Sequence, residues 1–120
     1  MLNSVLIDAS EPRVALAMTA LLALVIGIAT LTPQEHMPPA PGSDKLHHFL
    51  AFGALAFLMA FARPRAAIWV VLLVSLYGAL IEVIQPPVGR HGDVMDAIAN
   101  AAGAICGSVL GAASNRWLLR

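Results

Sequence analysis

Charge is scarce in this chain, and what there is cancels. Only 12% of the 120 residues are charged, seven basic against seven acidic. A balance of that kind leaves no basic patch for a nucleic acid, so that class of partner is set aside. Cysteine is nearly missing as well. Cys106 stands alone in an apolar run, which excludes a disulfide framework and a cysteine metal site. The expectation for its thiol is a small, buried, apolar role. Also missing are a Gly-rich phosphate loop, a nucleophile elbow, a structural repeat and a coiled-coil heptad. Ser75, Ser108 and Cys106 lie deep in apolar runs, where no helper for a nucleophile is evident.

What the chain has in abundance is apolar residues. They make up 59% of the sequence, and the mean hydropathy is +0.81. Those values belong to a membrane protein, and the length allows one domain, residues 1–120. A spanning helix needs about 20 mostly apolar residues. Four segments meet that need: 14–31, stopped by Pro33; 46–62, stopped by Arg63-Pro64; 66–84, closed by Pro86-Pro87; and 94–119. The first is read as a span rather than a signal peptide. Asp8 and Glu11 precede it against only Arg13, and no clean small-x-small cleavage site follows. The expected fold is therefore all-α, a polytopic four-transmembrane-helix bundle with every backbone group satisfied inside its own helix.

Basic residues set the expected orientation. Arg13, Arg63, Arg65, Arg116 and Arg120 share one side, and Lys45 and Arg90 share the other. Both termini are then cytoplasmic. The Pro-rich connection 32–43 and the loop 86–93 face outward. The polar residues Asp44, Lys45, His47, His48, Glu82, Gln85, Arg90, Asp93, Asp96 and Asn100 consequently gather in or beside one leaflet, the outer one.

Some of them have ordinary structural readings. Ser43 or Asp44 suits the N-cap of the second span, and Asp93 that of the fourth, with Asp96 at its third helical position. Lys45 is unusual beside the positive end of a helix dipole. It shares a stripe with His48 and Phe52, and Asp44 lies one turn from His48, within reach of a carboxylate–imidazole contact. Glu82 is the least comfortable. It sits near the negative end of its helix, one turn below the end, and needs a cation or a proton there. Arg90 and Lys45 are the candidate cations. Gly78, Glu82 and Gln85 fall on one face, where the glycine admits a neighbouring helix. Ala99, Gly103, Gly107 and Gly111 form a small-residue ridge that suits a helix-packing partner or a homo-oligomer. Asp96 and Asn100 border it and should face protein. No metal site is expected, because His47 and His48 are adjacent and point about 100° apart, unlike zinc-binding pairs one turn apart. His36 and His91 are loop residues. No cofactor is expected either.

Three blocks carry a further signal: Asp44-Lys45-x-x-His48-Phe49, then Gly78-x-x-Ile81-Glu82-x-x-Gln85, then Gly89-Arg90 followed by Asp96-x-x-Ala99-Asn100-x-x-Gly103. Their order and spacing resemble the VanZ-like family, over a motif region of residues 44–107. Pro86-Pro87-Val88 stands where an aromatic is more usual before the Gly-Arg pair. The resemblance implies a small protein of the bacterial inner membrane, in a family named for a factor associated with teicoplanin resistance. It places weight on Asp44, Lys45, His48, Glu82, Gln85, Arg90, Asp96 and Asn100 as ligand-binding candidates. Three functions are consistent with that set. One is binding of an envelope lipid or cell-wall precursor, with consequences for envelope properties or glycopeptide susceptibility. Another is acid–base catalysis on a lipid-linked substrate by Glu82, Asp96 and His48. The last is a structural or assembly subunit without a ligand. The expected geometric core is Glu82, Arg90 and Asp96, with Lys45 and His48 beside it.

Overall fold

A computed structural model describes residues 1–32, 43–85 and 94–119. The described residues form α1 (Leu2–Ser10), α2 (Pro12–Leu31), α3 (Asp44–Ala62), a 3-10 turn (Pro64–Ala66), α4 (Ala67–Ile84) and α5 (Val94–Leu118). Four of these helices are long and apolar enough to cross a membrane: α2, α3, α4 with its preceding turn, and α5. The expected spans agree with them to within two or three residues at each end. Lipid-core physics explains why the reading is so direct. A backbone without water must hydrogen-bond to itself, so an apolar run of this length has little choice but helix.

Local chemistry sets the ends. The Ser43 hydroxyl is the N-cap of α3 and accepts from the Leu46 amide at 3.1 Å. The Glu11 carboxylate does the same for α2, accepting from the Arg13 and Val14 amides, with Pro12 at the first helical position. That cap also separates α2 from α1, a short helix the sequence reading did not anticipate. The proposed caps at Asp93, like the loops around His36 and His91, lie outside the described residues.

The tightest pairing is α3 against α5. The buried residues of α5 are Asp96, Asn100, Gly103, Ala104, Gly107, Ser108, Gly111 and Ala112. They recur at helical spacing, so one stripe of α5 faces α3 throughout its length. Apolar surface gains little by leaving lipid for protein, so this contact depends on close packing. A β-carbon on Gly107 would overlap the carbonyl oxygen of Gly53, and one on Gly103 that of Phe49. The glycine ridge thus packs within the chain. Of the two alternatives for Gly103, Gly107 and Gly111, the helix-packing one is what this contact with α3 displays. At the far end, Asn115 Nδ2 donates to the Phe61 carbonyl at 2.7 Å and caps the close of α3.

Between these helices and α2 and α4 lies a small core that includes Phe52, Leu55, Val70, Val74, Ile81 and Ala104. The helix α2 is peripheral and buries only Ala15 and Ile26. Two hydrogen bonds tie α4 to its backbone: Tyr77 Oη donates to the Ala23 carbonyl at 2.5 Å, and Gln85 Nε2 to the Thr30 carbonyl at 2.9 Å. Tyr77→Phe is expected to cost about 0.5–1.5 kcal/mol and to loosen α2 alone, visible as faster amide exchange in α2 with α3 and α5 unchanged.

Cys106 contradicts the expectation of burial. It is exposed, because the buried stripe of α5 is filled by Gly103, Gly107 and Ser108 and the thiol sits off to its side.

Candidate functional site

The first turns of α3 and α5 and the last turns of α2 and α4 lie at the same end of the bundle. There Lys45 crosses from α3 to α5, donating from Nζ to Asp96 Oδ1 at 2.5 Å. The pair is asymmetric: the side chain of Lys45 is 43% exposed and that of Asp96 only 6%. Below it, His48 is buried and its Nδ1 meets Asn100 Oδ1 at 2.8 Å, again linking α3 to α5. An amide oxygen only accepts, so Nδ1 carries the proton and donates. In the neutral ring Nε2 is then a lone pair. It faces Asp96 Oδ2 at 3.6 Å and Asp44 Oδ2 at 3.7 Å, beyond ordinary hydrogen-bond length.

Packing holds this arrangement from beneath. The His48 ring stacks with Phe52 at a centroid distance of 6.3 Å, and Phe52, fully buried, meets Tyr77 at 6.0 Å. Asn100 rests on Gly78 of α4, where a β-carbon would stand 2.8 Å from Nδ2 and 3.1 Å from the Phe52 ring. Any side chain at residue 78 would displace the amide that orients His48. Asn100 Nδ2 is enclosed without a hydrogen-bond partner, as is Gln85 Oε1.

The expected site residues divide into four groups. Asp44, Lys45, His48, Asp96 and Asn100 converge. Gln85 is at the same end but engages the end of α2, so it acts as a brace between α4 and α2. Glu82 is half-buried on α4 with Oε1 enclosed. Arg90 lies outside the described residues, and with it the Glu82–Arg90–Asp96 core. Among the described residues the centre is Lys45–Asp96–His48–Asn100. As expected, Asp96 and Asn100 face protein, at 4% and 0% exposure.

Beneath the cluster, α3 and α5 leave an apolar groove of about 470 Å³ whose lining includes Phe49, Gly53, Phe57, Gly103, Cys106 and Leu110. Lys45, Phe49, Gly53 and Phe57 follow one another at four-residue steps, so the cation stands at the head of the groove. That ladder is legible in the sequence once α3 is placed. The sequence reading stopped at Lys45, His48 and Phe52, the neighbouring stripe that turns inward.

These blocks can now be set against known families. The family model described as VanZ/LLP1 matches residues 11–115, which includes all four candidate spans. The chain belongs to the VanZ/LLP1 family. No curated protein and no solved structure matches it. In this VanZ/LLP1 protein the resemblance resting on Asp44–Phe49, Gly78–Gln85 and Asp96–Gly103 corresponds to one physical unit: the polar end of α3 and α5, and the α4 turn that Asn100 packs on.

Proposed function

We propose that this multi-pass membrane protein binds the headgroup of an envelope lipid or lipid-linked cell-wall precursor. Binding takes place at the outer face of the bacterial inner membrane. Through it the protein affects envelope properties and susceptibility to glycopeptides of the teicoplanin type. The observation that supports this most is the placement of a half-exposed cation, Lys45, one helical turn from Phe49, where an apolar groove between α3 and α5 begins. An amphipathic ligand needs those two environments in that order: a polar grip at headgroup level and an apolar channel below it. The distribution of basic residues supports the outer face, with five Arg on the opposite side against Lys45 and Arg90.

The groove offers a clean test. Ala54 is exposed and lines it without touching the glycine contacts. In detergent-purified protein, native mass spectrometry should show a retained envelope lipid. Ala54→Phe fills the groove and should reduce retention at least tenfold with an unchanged melting temperature. Lipid retention equal to wild type in both Ala54→Phe and Lys45→Met proteins would sink the proposal. Lipid and precursor profiles of a deletion strain identify the class of ligand.

A second reading is supported by the bracing of His48 between Asn100 and two carboxylates. In it His48 and Asp96, with Glu82, act as acid and base on a lipid-linked substrate. An altered lipid or precursor that disappears with Glu82→Gln or His48→Gln selects catalysis over binding.

A further inference from the structure

We propose that Asp44, His48 and Asp96 form a binding site for a divalent transition-metal ion of the zinc class. Asn100 Oδ1 takes the Nδ1 proton of His48, which leaves Nε2 as the lone pair. Lys45 takes Asp96 Oδ1, which leaves Oδ2. The two remaining atoms, Nε2 and Oδ2, are the ones that face each other, and Asp44 Oδ2 joins them. An imidazole nitrogen opposed by two carboxylate oxygens calls for a positive charge between them, which a proton or a metal ion supplies.

The spacing fits an ion. The three ligand atoms lie within 4.8 Å of one another, and Nε2 is 3.6 and 3.7 Å from the two oxygens. Bonds of 2.0–2.2 Å in a tetrahedron place ligand atoms about 3.4 Å apart. The two separations from Nε2 are too long for hydrogen bonds and close to that tetrahedral edge. Each buried ligand also has the outer partner that metal-binding residues normally have: an amide oxygen on the imidazole N–H, and an ammonium on the second carboxylate oxygen. Asp44 is the adjustable member, half-exposed in the first turn of α3. One imidazole and two carboxylates suit zinc or manganese.

The expectation of no metal site rested on the adjacent pair His47 and His48. The set assembled here uses only His48 and draws Asp96 from a helix 48 positions further along the chain. No sequence spacing reveals it, because the two halves meet only through the α3–α5 contact.

The role of the ion rests on the headgroup reading above. Among the described residues, Lys45 and the two carboxylates sum to one negative charge, a poor site for a phosphate. A divalent ion reverses the sign. Three protein ligands leave a fourth position open, which a headgroup phosphate oxygen would take.

The test uses metal as the only added ligand. Full-length protein in detergent, stripped with chelator, is titrated with Zn²⁺ by calorimetry and then analysed for bound zinc by mass spectrometry. One zinc per chain is expected. Asp44→Asn, which leaves the Ser43 cap and all buried contacts intact, should weaken binding at least tenfold. His48→Gln should abolish it, and Asn100→Ala should weaken it 10- to 100-fold through loss of orientation. Circular dichroism confirms that each variant is folded. No zinc uptake by wild type, or unchanged affinity in both Asp44→Asn and His48→Gln, overturns the proposal. Because the titration reads zinc and the mass spectrum reads lipid, failure here leaves lipid retention standing, and failed lipid retention leaves the ion standing.

Discussion

Gly107→Val should leave no stable bundle. The α3–α5 contact has no slack at this position, since a β-carbon would overlap the Gly53 carbonyl oxygen and come within 2.9 Å of its α-carbon. Both obstacles are backbone, and a backbone cannot rotate aside as a side chain can. Overpacking usually costs 1–3 kcal/mol; here Gly107→Ala is expected near the upper limit, about 3 kcal/mol, and Val beyond it. Gly53→Ala provides the contrast. Its β-carbon would meet the Gly103 carbonyl at 3.3 Å, a contact relieved by a small shift, so a loss below about 1 kcal/mol is expected. Ala113→Val, on the exposed side of α5, should be neutral. Unfolding midpoints in detergent read all four, and equal loss in Gly107→Ala and Gly53→Ala would show the contact to be looser than described.

Removing either member of the Lys45–Asp96 pair should have very unequal effects. Lys45→Met leaves a carboxylate that is 6% exposed without its ammonium. Stranding a buried charge in this way typically costs about 3–5 kcal/mol. Asp96→Asn leaves instead a lysine that is 43% exposed, and its flexible stem can carry the ammonium to the headgroups. A loss of about 1 kcal/mol is expected. The double variant Lys45→Met with Asp96→Asn should recover most of the difference. Measured with chelator present, the cycle reports the pair alone. A symmetric result would mean that Asp96 is far better solvated than its position implies.

The extent of the spans was legible because long apolar runs bounded by Pro and Arg allow little but helix in lipid. Burial of Asp96 and Asn100 was legible because both border the glycine ridge, and the ridge could only be a packing surface. Its partner was not. Nothing in Gly103, Gly107 and Gly111 distinguishes α3 from a second chain; that is decided by Gly53 and the bare carbonyls of Phe49 and Phe57, visible only when the helices are docked. The Lys45–Asp96 pair escaped for a related reason. Glu82 was the residue in electrostatic difficulty, and it drew attention to itself as the partner for a cation. The helix-dipole argument identifies a charge that needs company, but it does not say which neighbour arrives. Cys106 was assigned to the interior from its apolar neighbours, yet in a membrane protein apolar surroundings describe the outside as well.

The contact of α3 with α5 also imposes an order in time. Lys45 and His48 are synthesised 51 and 52 residues before Asp96 and Asn100. At about 5–20 residues per second, the head of α3 waits roughly 3–10 s for its polar partners. During that interval an ammonium and an imidazole sit at the lipid boundary without the carboxylate and amide that later enclose them. A nascent chain interrupted after α4 therefore carries a marked helix, apolar in length but polar at one end, with the flank that α5 later covers left open. Membrane quality control could distinguish such a chain from the finished one by that feature alone. Arrival of α5 hides the mark and closes the polar cluster in a single event.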